Sequence, residues 1–404
     1  MRAPVWLLAA WLAAAQAAPA PTGIFAEVDR IMAELTAISG LRASRRVACE
    51  TLSREEVGEF LRKRVKEVAT PEEIRAEEIT LKKFGLAPPD FDLARTTVDL
   101  FTEQALALYD FNRRRLFVTE AVAARGQEAV LVHELAHALA DQNFNLKRFI
   151  KQAGKSDDAA LARMAVMEGQ ATWLMSEYMA LRMGQSLETS PALVEAMSAP
   201  GAAAGQFPVF DAAPLYIRET LMFPYTAGMR FQHAVVKREG RGAFAAVFRR
   251  PPVSTRQVLD PEEYFKGTAP ASPGLPEFPD RGYRELAAGS FGQLDHAILL
   301  EQYAGKPAAA LAARLRGGRY EVREHRARRR VVLAYASEWE SGAAAREFFG
   351  LYRRVLAGKW KRMAAATETP ERLEGEGDDG RFVVELRGAV VTSLEGLEPA
   401  TGAR

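Results

Sequence analysis

Apolar and polar positions along the chain change period several times. Thr22 can cap a helix running to about Ile38, with Gly40 as its stop. Ser53 followed by Glu56 has the spacing of a capping box, and Thr70-Pro71-Glu72-Glu73 makes a second with proline at the first helical position. The loop from Leu86 to Asp90 ends this helical region. Beyond it Thr96 to Phe101 and Ala105 to Tyr109 read as strands, Asp110-Phe111-Asn112 as a turn, and Arg115 to Thr119 as a returning strand.

From about Gln127 to Asn143 the helical pattern returns, and a long helix is expected from Asp157 to Met183, closed by Gly184. A Gly-, Ala- and Pro-rich loop covers Ala199 to Pro208, and Asp211 to Arg238 reads as helix with a break at Pro224. Pro270, Pro273, Pro276 and Pro279, each three residues from the next, mark Gly267 to Gly282 as a loop or hinge. The C-terminal part reads as helices Gln293 to Tyr303 and Pro307 to Leu315, then strands Arg319 to Glu324 and Arg330 to Tyr335. Helix Gly342 to Leu356 follows, then strands Phe382 to Leu386 and Ala389 to Val391. These elements predict an α+β protein: a mostly helical domain over 22–285 with a small sheet, then a smaller α+β domain over 290–404.

Composition adds three constraints. Lys and Arg number 54 against 52 Asp and Glu, so charge gives no reason to expect nucleic acid as a partner. Arg2 precedes an apolar run from Pro4 to Ala15, and Ala15-Gln16-Ala17 fits a small-x-small cleavage site. Residues 1–17 thus read as a signal peptide, with a secreted or periplasmic chain and no stable membrane span after cleavage. Cys49 is the single cysteine, which rules out an intrachain disulfide and a multi-cysteine zinc site.

The chemistry is carried by His133-Glu134-Leu135-Ala136-His137. On a helix, residues four apart share a face, so both imidazoles can reach one cation. Glu134 sits one step round, where it can approach a metal-bound water without being a ligand; Zn2+ brings that water's pKa towards neutrality. Ala140 and Asn143 stand where the metzincin pattern needs Gly and His. The third ligand is therefore sought on the next long helix. Glu168, flanked by Gly169 in Met167-Glu168-Gly169-Gln170-Ala171-Thr172, is preferred there, with Glu177, Asp157 and Asp158 as rivals.

The stretch HELAHALADQNFNL followed by MEGQAT resembles the gluzincin-type zincins, and in particular exported bacterial HExxH proteins of undefined substrate. Tyr225, Gly228 and Phe231 match a Y-x-x-G-x-x-F segment of that group. Pro251, Pro252, Ser254, Thr255, Gln257, Leu259, Pro261 and Tyr264 match another. Asp260 stands where the group commonly has His, so no role for that His carries over. The resemblance covers about residues 22 to 265 and implies a zincin-like catalytic domain, zinc as cofactor and a protein or peptide substrate.

Around that centre Asp141, or more weakly Thr172, could fix a ligand imidazole. Tyr225 is the preferred donor to an oxyanion, with His233 as runner-up. The strand ending at Tyr109 is either an edge that receives substrate backbone or a central strand. The expected function is a zinc peptidase in which Glu134 is base and then acid. The alternatives are a catalytically silent zincin-shaped binding or assembly protein of the cell envelope, and a metal hydrolase acting on a non-peptide amide.

Overall fold

The computed structural model describes residues 27–398 apart from 54, 57–58, 60–62, 64–68, 105–106, 120–127, 200–206 and 280. The expected signal peptide over 1–17 and the helix start at Thr22 lie outside the described residues. Helix α1 (Val28–Ser39) stops at Gly40, whose φ of 73° is the left-handed conformation glycine adopts freely. After β1 (Ala48–Leu52), α2 (Pro71–Phe84) opens on the full capping box: the Thr70 hydroxyl accepts from Glu73 N and Glu73 accepts from Thr70 N.

One element departs from expectation here. Thr96 to Phe101 lies inside helix α3 (Leu93–Gln104) and is not a strand. Leu93, Thr97, Leu100 and Phe101 are its buried positions, a helical spacing that overrides the β-branched run. The Thr97 hydroxyl donates to Leu93 O at 2.7 Å, so the polar atom is satisfied inside the helix.

Strands β2 (Ala107–Asp110) and β3 (Arg115–Thr119) form the expected hairpin, and the Asp110 carboxylate caps its turn by accepting from Asn112 N. Parallel pairing of β1 with β3 completes a sheet of order β1-β3-β2. Behind it lie α4 (Glu128–Phe144), α5 (Leu146–Lys151) and the long α6 (Asp157–Arg182). Glu128 at the start of α4 receives Arg30 of α1 and both Tyr178 and Arg182 of α6, tying three helices at one carboxylate.

Helix α7 (Leu215–Glu239) runs unbroken through Pro224, contrary to the expected break. A proline removes one i→i−4 hydrogen bond. Here the packing of α7 against α6 holds the helix together across that loss. That packing is close: a Cβ added to Gly169 of α6 would lie 2.2 Å from the Gly228 backbone carbon of α7.

Short helices α8 (Thr255–Leu259) and α9 (Pro261–Lys266) lead to the Pro-rich stretch and then to a seven-stranded antiparallel sheet. Its strands are β4 (Tyr283–Ser290), β5 (Leu315–His325), β6 (Val331–Trp339), β7 (Met363–Glu368), β8 (Arg372–Gly377), β9 (Gly380–Arg387) and β10 (Val390–Leu397). They are arranged in the order β4-β5-β6-β10-β9-β8-β7. The sequence pattern gives no strand at β1, β4, β7 or β8. Helices α10 (Gln293–Ala304) and α11 (Gly342–Lys359) complete this unit; Tyr352 of α11 stacks on Tyr335 of β6, and Phe348 meets that ring edge-on.

The two regions share a core. Phe84, the last residue of α2, stacks on Phe291 at 4.3 Å and meets Tyr320 and Tyr335 edge-on. The fold is thus α+β, with a helical N-terminal part and a seven-stranded sheet in the C-terminal region. Among the described residues no helix is long and apolar enough to cross a membrane.

Candidate metal centre

Helix α4 is apolar over most of its surface, so residues 130–141 are buried all round, the two histidines among them. His133 and His137 stand one turn apart with ring centroids 4.5 Å from each other. The side chain of Glu168 reaches in from α6, and its Oε2 lies 3.2 Å from the Nε2 of each imidazole. One donor atom from each residue falls within 4.8 Å of the other two.

This spacing can be compared with what a cation needs. Two ligand atoms at about 2.0 Å from a tetrahedral zinc are about 3.3 Å apart. The observed 3.2 Å fits that geometry. A buried His133, His137 and Glu168 group of this kind could hold a metal ion.

Electrostatics agree. Burial, then the neighbouring His137, pushes His133 down to about 3. At His137 burial opposes the charge, but the Glu168 carboxylate outweighs it and raises the imidazole. Burial works against the charge of Glu168 too, yet His137 and the two imidazole hydrogen bonds bring it down to about 2. The pocket thus favours an anionic Glu168 beside a positive partner, a place a divalent cation can take.

Glu134 does not join the ligand group. Its Oε2 accepts from the backbone N–H of Tyr109 at 2.6 Å, so it is held against β2. Burial, partly offset by His137, lifts its carboxyl to about 7. Among the described strands β2 is at an edge of its sheet, and Tyr109 N points from that strand to the centre. A small cavity of about 30 Å³ lies here, lined by Leu108, Phe111, Met164 and Met167 beside Glu134, His137 and Glu168. It has room for about one or two waters.

The Tyr225 ring lies 6.3 Å from that of His133, and burial, then Glu168 and Glu134, raise its hydroxyl well above the usual range. Gly228, one turn on, lets α7 come this close: a Cβ there would lie 2.4 Å from Ala165 O. Gly169 allows a close helix approach too, and it is to α7. Glu168, one step round, faces α4.

Residues 277–404 match a domain of unknown function, DUF8575. No curated protein and no solved structure matches the chain. The matched stretch covers β4 to β10 with α10 and α11, and the His133, His137 and Glu168 group lies outside it.

The remaining candidates are placed elsewhere. Glu177 accepts from the Ser186 hydroxyl and Leu187 N, closing the turn after α6. Asp158 accepts from Thr255 N and Oγ1, and Asp157 from the Tyr320 hydroxyl. His233 accepts from Trp173 Nε1. Thr172 donates to the backbone carbonyl of Glu168, not to an imidazole. Asp141 also serves differently from expectation. It accepts from the Tyr109 hydroxyl and from Leu146 N, clamping β2 and the start of α5 to α4.

Tyr109 is the residue that sequence reasoning missed, since it holds both Glu134 and Asp141. Its only signal is its place at the end of the strand before the motif. The Ser254, Thr255 and Gln257 segment proves to be scaffolding. Thr255 anchors the start of α6 through Asp158, and Gln257 Nε2 donates to Thr268 O.

Proposed function

We propose that the protein is an exported, zinc-dependent peptidase of the gluzincin type. The observation that carries this reading is the equal 3.2 Å approach of Glu168 Oε2 to both imidazole nitrogens, with Glu134 beside them but not among them. Export rests on residues 1–17 alone.

His133, His137 and Glu168 would hold the zinc, which when bound would supply Lewis acidity and lower the pKa of a coordinated water. Glu134, poised near neutrality by burial, takes a proton from the attacking water and returns it to the leaving amine. The Tyr109 N–H fixes which oxygen of Glu134 stays free for that proton. Tyr225 stays protonated at working pH and donates to the oxygen on which charge develops. The β2 edge offers backbone groups to an extended substrate.

The small size of the cavity favours a second reading, a zincin-shaped binding protein that turns nothing over. Purified protein loaded with zinc and given a broad peptide library separates the two. Cleavage by the parent and none by a zinc-loaded Glu134→Gln variant supports the peptidase. Stoichiometric zinc with no cleavage by the parent supports the binding protein, and cleavage of non-peptide amides alone moves the substrate class.

A further inference from the structure

A cavity of about 730 Å³ shares no lining residue with the metal centre. Its volume lies in the range of ligand pockets. It runs along one face of β4 and β5, under the Pro-rich segment. In the antiparallel register Ser290 pairs with Arg319, Ala288 with Glu321, and Glu285 with Arg323, so these six side chains share that face. Tyr320 and Val322, between them on β5, turn to the core.

The roof is an extended strap. Prolines three residues apart have the period of a polyproline helix, which makes no internal hydrogen bonds. It is pinned at one end, where Ala271 N donates to Arg316 O and a Cβ on Gly317 would lie 2.1 Å from Ala271 O. Toward the other end Arg323 lies over the Phe278 ring at 4.3 Å. Ala288 and Gly317 keep the middle of the trough shallow in side chains.

Charge is separated along this trough. Arg256 pairs with Glu263, Arg316 with Glu338, Glu340 with Arg314, and Arg323 with Glu321. Asp158 is taken by Thr255. Three lining charges remain exposed and without an ion pair among the described residues: Lys155 and Arg319 at the Ser290 end, and Glu285 at the Arg323 end. Four steps of β5 separate the ends, about 14 Å at ~3.4 Å each. An extended chain of four or five residues spans that length.

We propose that this trough binds an extended oligopeptide of four to five residues with free ends, its carboxylate at Lys155 and Arg319 and its amine at Glu285. The site is independent of the metal centre, and its occupancy requires no hydrolysis.

The test uses the full-length chain carrying Glu134→Gln, so that nothing is cleaved, and calorimetric titration with penta-alanine. Its C-terminal amide, its N-acetyl form, the doubly capped peptide and dialanine are the comparisons. Penta-alanine is expected to bind one to one. Amidation weakens it about three- to fivefold, the contribution of one exposed ion pair. Lys155→Gln together with Arg319→Gln removes the distinction between acid and amide, and Glu285→Gln removes that between amine and acetyl. Dialanine, too short to span both ends, binds more weakly. The trough groups replaced, Lys155, Arg319 and Glu285, are all exposed, so their removal leaves folding intact. Equal affinity for all five peptides overturns the proposal. So does failure of penta-alanine to bind at millimolar concentration, or end discrimination that survives the trough substitutions.

Discussion

Replacing Gly169 by alanine tests how the helix pair that carries Glu168 and Tyr225 is held. The new Cβ lies 2.2 Å from Gly228 C and 2.3 Å from Gly228 O. Ordinary contact between such atoms is ~3.5–4 Å, so α6 and α7 must separate by about 1.3 Å or more. Overpacking of this kind costs about 1–3 kcal/mol, and the upper figure applies where both sides are backbone. Alanine returns about 1 kcal/mol in helix propensity. The net loss is about 2 kcal/mol, read by urea unfolding. Gly242→Ala is the control, since nothing lies within 4 Å of its Cβ and its φ is −62°; it should stay within ~0.5 kcal/mol of the parent. Because Glu168 adjoins the clash, zinc affinity measured by chelator competition should fall about tenfold in Gly169→Ala. A Gly169→Ala protein as stable as the parent and equally tight for zinc refutes the close packing and its role in aiming Glu168.

Three further outcomes follow from the same geometry. Folding raises Glu134 from 4.5 to about 7, so its stability contribution is fully present below pH 4.5 and is lost as pH rises to 7. Metal-free Glu134→Gln should therefore be more stable than the parent at pH 8 by up to ~3 kcal/mol, with the gap closing at pH 4.5, as unfolding at the two pH values will show. Tyr109→Phe removes the bond to Asp141 and should cost about 1 kcal/mol in unfolding, while the backbone N–H that holds Glu134 is kept and turnover of any peptide substrate changes little. Thr255→Ala strips Asp158 of its hydroxyl partner and should destabilise by about 2 kcal/mol at pH 7 without changing zinc content.

The metal group was legible because its constraint is local. A pair of histidines four apart on an apolar helix can face only one way, and Glu168 beside Gly169 stood out in the next long helix. The surroundings were less legible because they are set by tertiary contacts. Tyr109 works through its backbone N–H, which no residue type announces, and Asp141 points to a strand that periodicity cannot place beside it. Strand β4 carries a register shift between Glu285 and Ala287 that spoils its alternation, and β7, Met363–Glu368, buries no face, so no alternation marks it. Thr96 to Phe101 fits both periods, and burial of Leu93, Leu100 and Phe101 decided for helix.

The central claim is that one zinc ion is bound by His133, His137 and Glu168. Zinc-edge X-ray absorption on the purified chain, with metal content measured in parallel, tests it most directly. The account predicts one zinc per chain with two imidazole nitrogens at about 2.0 Å and a carboxylate oxygen at about 2.0–2.2 Å, the oxygen scattering changed in Glu168→Gln. A chain that takes up no zinc, or a zinc whose ligand shell is the same in His133→Ala and Glu168→Gln as in the parent, contradicts it.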